Sequence, residues 1–425
     1  MKMKLFRSFL ILVCCLASPP IFSQSVFIDK VYEENIQSVR IYPKTGEFSS
    51  QLSSPTIPLN SSVPLVLEFD DIAYEADTYS ATIIHCNSDW TTSGLKPADY
   101  LSNYNEFNVN EYEYSINTRI PYIHFTFRVP KVTKSGNYIL KVYRARDEEE
   151  VIIVKRFMVY TNQVNVGAKV VPPSKTEDRQ NSQQINFNID YGGRELLDPI
   201  NNVKVVIRQN QRWDNAITKL KPNFIREERS MLEYQLFDGS NTFSAGNEFR
   251  FVDLRYTRSK GRNVGSIKIE EDAVFAETTF DQPRSGQAYL EYLDLNGQYG
   301  IFTYEKQSHE LESEYILATF NFQSDPLPEP PFVFGALSNW GSDPESKMAY
   351  DENKGIYQAT LLLKQGWYDY QYGLKSSEGW NLQKIEGEHF QTENEYEIFV
   401  YYREMGSRYD ELIGYAVLNP NKRRL

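Results

Sequence analysis

The sequence has few of the residues on which enzymes and disulfide-bonded proteins most depend. It contains four histidines and three cysteines in 425 residues. Cys14 and Cys15 lie in an apolar run near the start, which leaves Cys86 alone in the rest of the chain, without a partner for an internal disulfide. Small secreted domains usually need such cross-links, but a chain of this length can bury several hydrophobic cores without them.

Long apolar runs are also scarce, and the clearest one is short. Three basic residues at the start precede the uncharged run 9–17, and a cleavage site follows at Ser23. This layout is typical of a secretory signal, and nine apolar residues are too few to form a permanent membrane anchor. We therefore expect residues 1–23 to be a cleaved signal peptide and the rest of the chain to have no transmembrane segment.

The charge balance excludes one class of partner. Cleavage after Ser23 would remove three of the 45 basic residues and none of the 57 acidic ones. A chain with this excess of negative charge is poorly suited to nucleic-acid phosphates or to anionic lipid surfaces. We expect no nucleic-acid partner.

Alternating apolar and polar residues dominate the remaining sequence, which is rich in tyrosine and phenylalanine. Ile123, Phe125 and Phe127, for example, alternate with His124 and Thr126. This period predicts strands, and the Gly, Pro, Asn and Asp turns between them favour antiparallel sandwiches. We predict an all-β fold of tandem immunoglobulin-like or early-set β-sandwich domains, with His124 on a solvent-exposed face.

Two breaks in the pattern suggest the domain boundaries. One lies at 170–175, and four prolines fall within 326–331, where they would form a stiff spacer. The expected divisions are a signal peptide (1–23), a first sandwich (24–163), a second sandwich (164–325), a C-terminal early-set-like sandwich resembling a glycogen-binding module (326–418) and a tail (419–425).

Motifs that carry chemistry are absent or incomplete. The sequence has no Gly-x-Ser-x-Gly elbow and no phosphate-binding glycine loop, and His309-Glu310 lacks the second histidine of a zinc protease. His85 and Cys86 would point to opposite faces of one strand, which favours a satisfied histidine and a buried cysteine. We predict a protein that is not an enzyme, with no catalytic, metal-binding or cofactor-binding residues and no cofactor.

One segment resembles the start of a calcium loop. Asp294-x-Asn296-Gly297 has the opening spacing, but the residues after Gly297 read as a strand rather than as the rest of such a loop. A hairpin turn between strands at 288–293 and 301–304 is the preferred interpretation.

Near the C-terminus, the order of strands, tryptophans and a Gly-x-Tyr turn over 332–372 resembles the early-set sandwiches attached to glycogen- and starch-active enzymes. Trp340, Trp367 and Trp380 are therefore candidate sugar or partner contacts, because flat aromatic rings stack on sugar faces. The alternative is that they fill the core of a small sandwich. Gly136-Asn137-Tyr138 repeats the Gly-x-Tyr turn, which favours a structural role for that motif.

Segments near both ends of the chain resemble a known family. They are His85-Cys86-Asn87-Ser88-Asp89-Trp90, His389 to Tyr396, Val400-Tyr401-Tyr402-Arg403 and Arg408 to Tyr415. Together they are similar to the type IX secretion system plug proteins of Bacteroidota.

That resemblance implies a periplasmic accessory protein. Such a protein binds the giant outer-membrane β-barrel translocon and plugs its periplasmic opening; the resemblance names no contact residues. The alternative function is a periplasmic or surface carbohydrate-binding protein, which rests on the C-terminal aromatic pattern. A third, an unrecognised hydrolase, rests only on the abundance of carboxylates.

Overall fold

The computed structural model describes residues 27–419, so the predicted signal peptide and nearly all of the predicted tail lie outside the described residues. Strands account for 44% and helices for 7% of the structure. The predicted all-β fold is confirmed. Within residues 27–419, no helix is long and apolar enough to cross a membrane.

The first unit is a two-sheet sandwich formed by ten strands. They are Lys30–Val31 (β1), Ile36–Pro43 (β2), Thr56–Pro58 (β3), Leu65–Asp71 (β4), Tyr79–Cys86 (β5), Phe107–Val109 (β6), Glu111–Tyr114 (β7), Ile123–Arg128 (β8), Gly136–Arg144 (β9) and Val151–Tyr160 (β10). One sheet has the order β1-β10-β9-β5-β6, with β3 paired in parallel to β10, and the other has the order β2-β4-β8-β7. Alternate apolar residues from both sheets fill one core, as the period-2 pattern predicts.

The remaining strands follow in three runs along the chain. The first run is Asn165–Val171 (β11), Ser182–Asp190 (β12), Val203–Gln209 (β13), Phe224–Arg226 (β14), Met231–Tyr234 (β15) and Thr242–Ser244 (β16). The second is Arg250–Asp253 (β17), Val264–Ile269 (β18), Val274–Asp281 (β19), Tyr299–Ile301 (β20), Tyr315–Gln323 (β21), Pro331–Phe334 (β22), Ala349–Asp351 (β23), Ile356–Lys364 (β24), Gly366–Ser376 (β25) and Gly379–Asn381 (β26). The third is Tyr396–Tyr402 (β27) and Glu411–Leu418 (β28).

Helices are short and lie in the connections. The α-helical turns are Pro97–Tyr100 (α1), Pro199–Asn202 (α2) and Gln383–Glu386 (α3). The 3-10 turns are Phe48–Leu52, Thr176–Asp178, Glu227–Arg229, Ala336–Ser338 and Pro344–Ser346.

Strand pairing crosses the boundary that the sequence suggested near residue 326. The last strands, β27 and β28, form a sheet with β13, and this sheet encloses a core with the sheet β11-β12-β15-β14 and its added strand β16. The strands between them form a third sandwich from the sheet β18-β19-β21-β24-β23 and the sheet β17-β25-β20, to which β22 and β26 add through β25. The third unit is thus inserted into the second.

The proline-rich segment is therefore not a spacer between domains. It joins β21 to β22, which belong to the two facing sheets of the third unit. Three of the prolines lie outside the ladders and Pro331 is the first residue of β22, but such a pattern does not distinguish a crossover within a sandwich from a linker between sandwiches. We propose a first unit ending near residue 163, a second formed by 164–246 with 389–418, and a third at 247–388.

The strand predicted at 288–293 is wrong. Residues 282–298 form a long connection without regular structure, which we call the junction loop. Its last part does contain the predicted Asn296-Gly297 turn, with φ angles of +54° and +79°. Such a turn needs left-handed conformations, which Asn and Gly adopt most easily.

Candidate functional site

Three of the four segments that carry the family resemblance meet where the first and second units join, and the fourth, His389 to Tyr396, contacts the second and third units. Ser88 donates from its amide and its hydroxyl to Asp410 Oδ2, at 3.0 and 2.8 Å. Arg403 donates to Asn87 Oδ1 at 2.8 Å and to Asp410 Oδ1 at 2.7 Å. Burial alone would raise the pKa of Asp410, but the Ser88 amide and Lys204 outweigh it and hold that pKa below its usual value. The resemblance therefore rests largely on residues that fasten two units together.

An apolar layer continues this contact. Side chains on the outer face of the β10-β9-β5 sheet pack against the sheet formed by β13, β27 and β28. The buried members of the layer are Cys86, Trp90, Ile139, Val154, Met158, Val206, Phe399, Tyr401 and Leu412. Burial raises the pKa of the Cys86 thiol to about 12, so this cysteine behaves as a small apolar side chain, as predicted.

His85 is a satisfied core histidine, as the sequence indicated. Its ring lies 3.0 Å from Ser93 Oγ through Nδ1 and 3.3 Å from the Ser135 carbonyl through Nε2. Burial lowers the pKa of His85 to about 4, so the ring is neutral near pH 7. Gly136 lies against it, where a Cβ would come within 2.5 Å of Nε2.

His124, in contrast, is not solvent-exposed, and that prediction is wrong. Its Nδ1 lies 2.7 Å from Asp70 Oδ1, and the residue is only 6% exposed. Lys364 on β24 and Tyr315 on β21 donate to Asp70 Oδ2 at 2.6 and 2.7 Å. The third unit thus covers the polar face of β8 at His124, while Thr126 is half-buried and Arg128 at the end of the strand is exposed.

The Asp70 carboxylate is the centre of this contact between the first and third units. Burial would raise its pKa, but the attraction of Lys364 and the His124 hydrogen bond lower it to about 2. Burial lowers the pKa of Lys364, while Asp70 opposes that shift. Both side chains are 1% exposed, so this is a fully desolvated ion pair.

A cavity of about 490 Å³ opens where all three units meet. The first unit contributes the 3-10 turn Phe48–Leu52 and its neighbours, the second contributes β28, and the third contributes the junction loop. We call this space the junction cavity. Its lining residues are Pro43, Ser49, Leu52, Ser53, Ser54, Thr56, Asn210, Gln211, Tyr292, Leu293, Asp294, Leu295, Asn296, Gln298, Glu393, Glu395, Tyr415, Val417 and Asn419.

Two buried carboxyl groups fasten the junction loop beside this cavity. Asp294 accepts hydrogen bonds from the amides of Phe249 and, at 3.0 Å, Asn296. Asp369 accepts from the Leu295 amide and, at 3.0 Å, from Trp367 Nε1. Burial raises the pKa of Asp369 to about 8, and burial together with the nearby Asp369 charge raises that of Asp294 well above its usual value.

The three candidate tryptophans are half-buried and packed against other side chains. Trp367 stacks on Phe251 with ring centroids 4.2 Å apart. Trp340 and Trp380 both contact Phe334, at 5.4 and 5.0 Å. The structure therefore brings Trp340 and Trp380 together around one phenylalanine, and their role as sugar or partner contacts remains a proposal.

Among residues 27–419, no group of three or more His, Cys, Asp or Glu side chains can hold a metal ion. The junction cavity was not anticipated from the sequence. Its lining residues come from segments hundreds of positions apart in the sequence. Among these segments, the sequence pattern pointed only to the turn at Asn296-Gly297.

Comparison with known families and structures identifies the chain's relatives. Residues 36–161, which cover most of the first unit, match the family described as "Type 9 secretion system plug protein 1st domain". The chain belongs to the type IX secretion system plug protein family.

A solved structure extends the likeness to nearly the whole chain. A crystal structure of a hypothetical protein from Parabacteroides merdae ATCC 43184 is similar to it with a TM-score of 0.88 and 30% identity, covering 93% of this chain and 100% of that one. A search of curated proteins finds no match. Family membership implies association with the type IX secretion system, and with the all-β fold it indicates a structural or accessory protein.

Proposed function

We propose that the protein binds the outer-membrane β-barrel translocon of the type IX secretion system and plugs its periplasmic opening. The match of residues 36–161 to the plug family carries this proposal. In this role the chain is a non-catalytic periplasmic protein, exported by its N-terminal signal peptide.

The packing of the three units supports such a role. A plug has to fill a wide opening without deforming, and here an apolar layer joins the first unit to the second while a desolvated ion pair joins the first to the third. The third unit is also connected to the second at both of its ends, because it is inserted between β16 and β27. These contacts favour one rigid body over three hinged domains.

Affinity capture tests the proposal directly. The tagged full-length protein, incubated with a detergent extract of the outer membrane, is expected to recover a very large β-barrel protein that an unrelated tagged periplasmic sandwich does not recover. Failure to recover any such barrel would contradict the proposal. Deletion of the gene is expected to make the outer membrane more permeable to large antibiotics, and re-expression should reverse this.

Carbohydrate binding is the alternative, and its candidate contacts are Trp340 and Trp380, which both pack against Phe334. Binding to a glycan array that is lost in Trp340→Ala and Trp380→Ala, but retained in Tyr74→Ala at an exposed aromatic residue of the first unit, would support it. We expect no glycan to bind, because neighbouring aromatic rings already pack against both indoles.

A further inference from the structure

The junction cavity lies in a place where ligand sites are common. Sites for ligands occur preferentially between domains, in clefts of about 300–1,000 Å³. This cavity holds about 490 Å³, and all three units line it. Its shape therefore depends on the assembled molecule and not on any one sandwich.

The charge of the lining favours a cation. The lining includes Glu393, whereas burial favours the neutral form of Asp294, and the described lining contains no lysine, arginine or histidine. Arg208 lies behind the wall and donates to Ser54 Oγ at 2.8 Å, but this guanidinium is already paired with Glu397 at 2.5 Å. The nearby positive charge is thus neutralised, whereas the Glu393 carboxylate accepts only amide hydrogen bonds among residues 27–419.

Two amide oxygens in the lining have no donor. Asn296 Nδ2 donates to Glu393 Oε2 at 2.9 Å, and Asn419 Nδ2 donates to the other oxygen of the same carboxylate. These bonds fix both amides, and each Oδ1 is then buried without a hydrogen-bond partner among residues 27–419. Because buried acceptors are nearly always satisfied, two on either side of a carboxylate indicate a ligand rich in N–H donors.

Part of the remaining wall is apolar. Leu52, Leu293 and Val417 contribute to it, and the last two are 52% and 49% exposed. Such a wall suits the methylene stem of a long basic side chain, which packs on apolar surface while its head reaches the polar groups.

We propose that the junction cavity binds an arginine side chain presented by an extended peptide segment of a partner protein. A guanidinium offers five donors in a planar fork, which suits the Glu393 carboxylate and the flanking oxygens of Asn296 and Asn419. A lysine ammonium offers three donors around one point and matches this arrangement less well. The site stands whether or not the translocon is the protein that carries the arginine.

Binding of small arginine derivatives tests the proposal. The full-length protein is titrated with N-acetyl-arginine amide and with N-acetyl-citrulline amide, its neutral isostere, and saturation-transfer NMR measures both affinities. We expect the arginine derivative to bind about tenfold more tightly, since one charge-assisted hydrogen bond contributes about that much. Equal binding of the two compounds, or binding of neither, would overturn the proposal.

Two variants locate the site. Glu393→Gln is expected to abolish the preference for arginine, whereas Glu352→Gln, the same change in an exposed turn, leaves it intact. Val417→Lys places an ammonium at the exposed rim, where folding tolerates it, and is also expected to abolish the preference. Retained preference in both cavity variants would refute the assignment, and thermal unfolding confirms that each variant is folded. Capture of the β-barrel protein is measured in a separate experiment, so failure of arginine binding and failure of the proposed function can be told apart.

Discussion

At the scale of single residues, Gly136 shows why one position tolerates no side chain. Its φ angle is +146°, and an added Cβ would lie 2.5 Å from His85 Nε2 and 2.9 Å from Cε1. The His85 ring cannot retreat easily, because the rings of Tyr138 and Tyr409 lie 4.8 and 5.3 Å away. The Gly-x-Tyr turn identified in the sequence thus has a structural cause.

We expect Gly136→Ala to lower the free energy of unfolding by about 3 kcal/mol, through backbone strain and overpacking together. Gly46→Ala is the matched control, because Gly46 also has a positive φ (+90°) but no atom within 4 Å of its Cβ position. The control substitution should lower the free energy of unfolding by only about 1 kcal/mol. Urea unfolding measures both, and equal losses would contradict the steric explanation.

The buried Asp70–Lys364 pair gives a second prediction at this scale. Lys364→Met leaves the carboxylate desolvated without its cation, and removal of one partner of such a pair costs about 3–5 kcal/mol. Lys354→Met, which removes an exposed partner of Asp351, should leave the free energy of unfolding nearly unchanged. Chemical unfolding at pH 7 measures the free energy of unfolding of both variants. Similar losses of stability would contradict the interpretation that Asp70 and Lys364 form a desolvated pair.

The same pair predicts a pH dependence. The pKa of Asp70 is about 2 in the folded protein and about 3.9 in an unfolded chain. Its contribution to stability is therefore complete above about pH 4 and is lost as the pH falls toward 2. In Lys364→Met the folded pKa rises, so this acid-sensitive contribution should shrink or disappear in unfolding measurements between pH 2 and 5.

At the scale of elements, the junction loop is the segment whose attachment depends most on protonation. Asp294 and Asp369 fasten it, Glu248 lies near both, and burial favours their neutral forms. Because the folded pKa of Asp369, about 8, exceeds the unfolded value, its contribution is complete below about pH 4 and declines as the pH rises to 8. Ionisation of both Asp294 and Asp369 would place two negative charges close together at the base of the loop, where they would repel each other.

We expect limited proteolysis within 282–298 to accelerate as the pH rises through about 8. Asp294→Asn removes one of the two charges, so cleavage of that variant should depend less on pH. Glu291→Gln, on the same loop, serves as the control for a simple loss of negative charge. An unchanged pH profile in Asp294→Asn would show that the acid pair does not govern the attachment.

At the scale of the whole molecule, the units share too much buried surface to behave independently. The apolar layer and the Asp70 contact cross unit boundaries, and the second and third units are interleaved in sequence. We predict a single heat-absorption peak in scanning calorimetry, with equal calorimetric and van't Hoff enthalpies. Two resolved transitions, or an enthalpy ratio well above one, would indicate separately folding units.

The sequence alone was sufficient for the fold class, most strands and the family. Alternation such as that of Ile123, Phe125 and Phe127 reports directly on strand structure, because successive side chains point to opposite faces. The buried Cys86 also follows from local pattern, and the structure confirms it. The family resemblance rests on short segments, most of which fasten the first unit to the second, and only the structure shows that role.

Tertiary structure alone decided how these strands are combined. Local pattern cannot show that β27 pairs with β13, nearly two hundred residues earlier, so from the sequence alone the proline-rich segment 326–331 resembles a domain boundary. Nor can it show that a polar strand face is covered by another unit, as at His124. The junction cavity exists only because three distant segments converge, and long-range packing, which no local pattern encodes, determines where they meet.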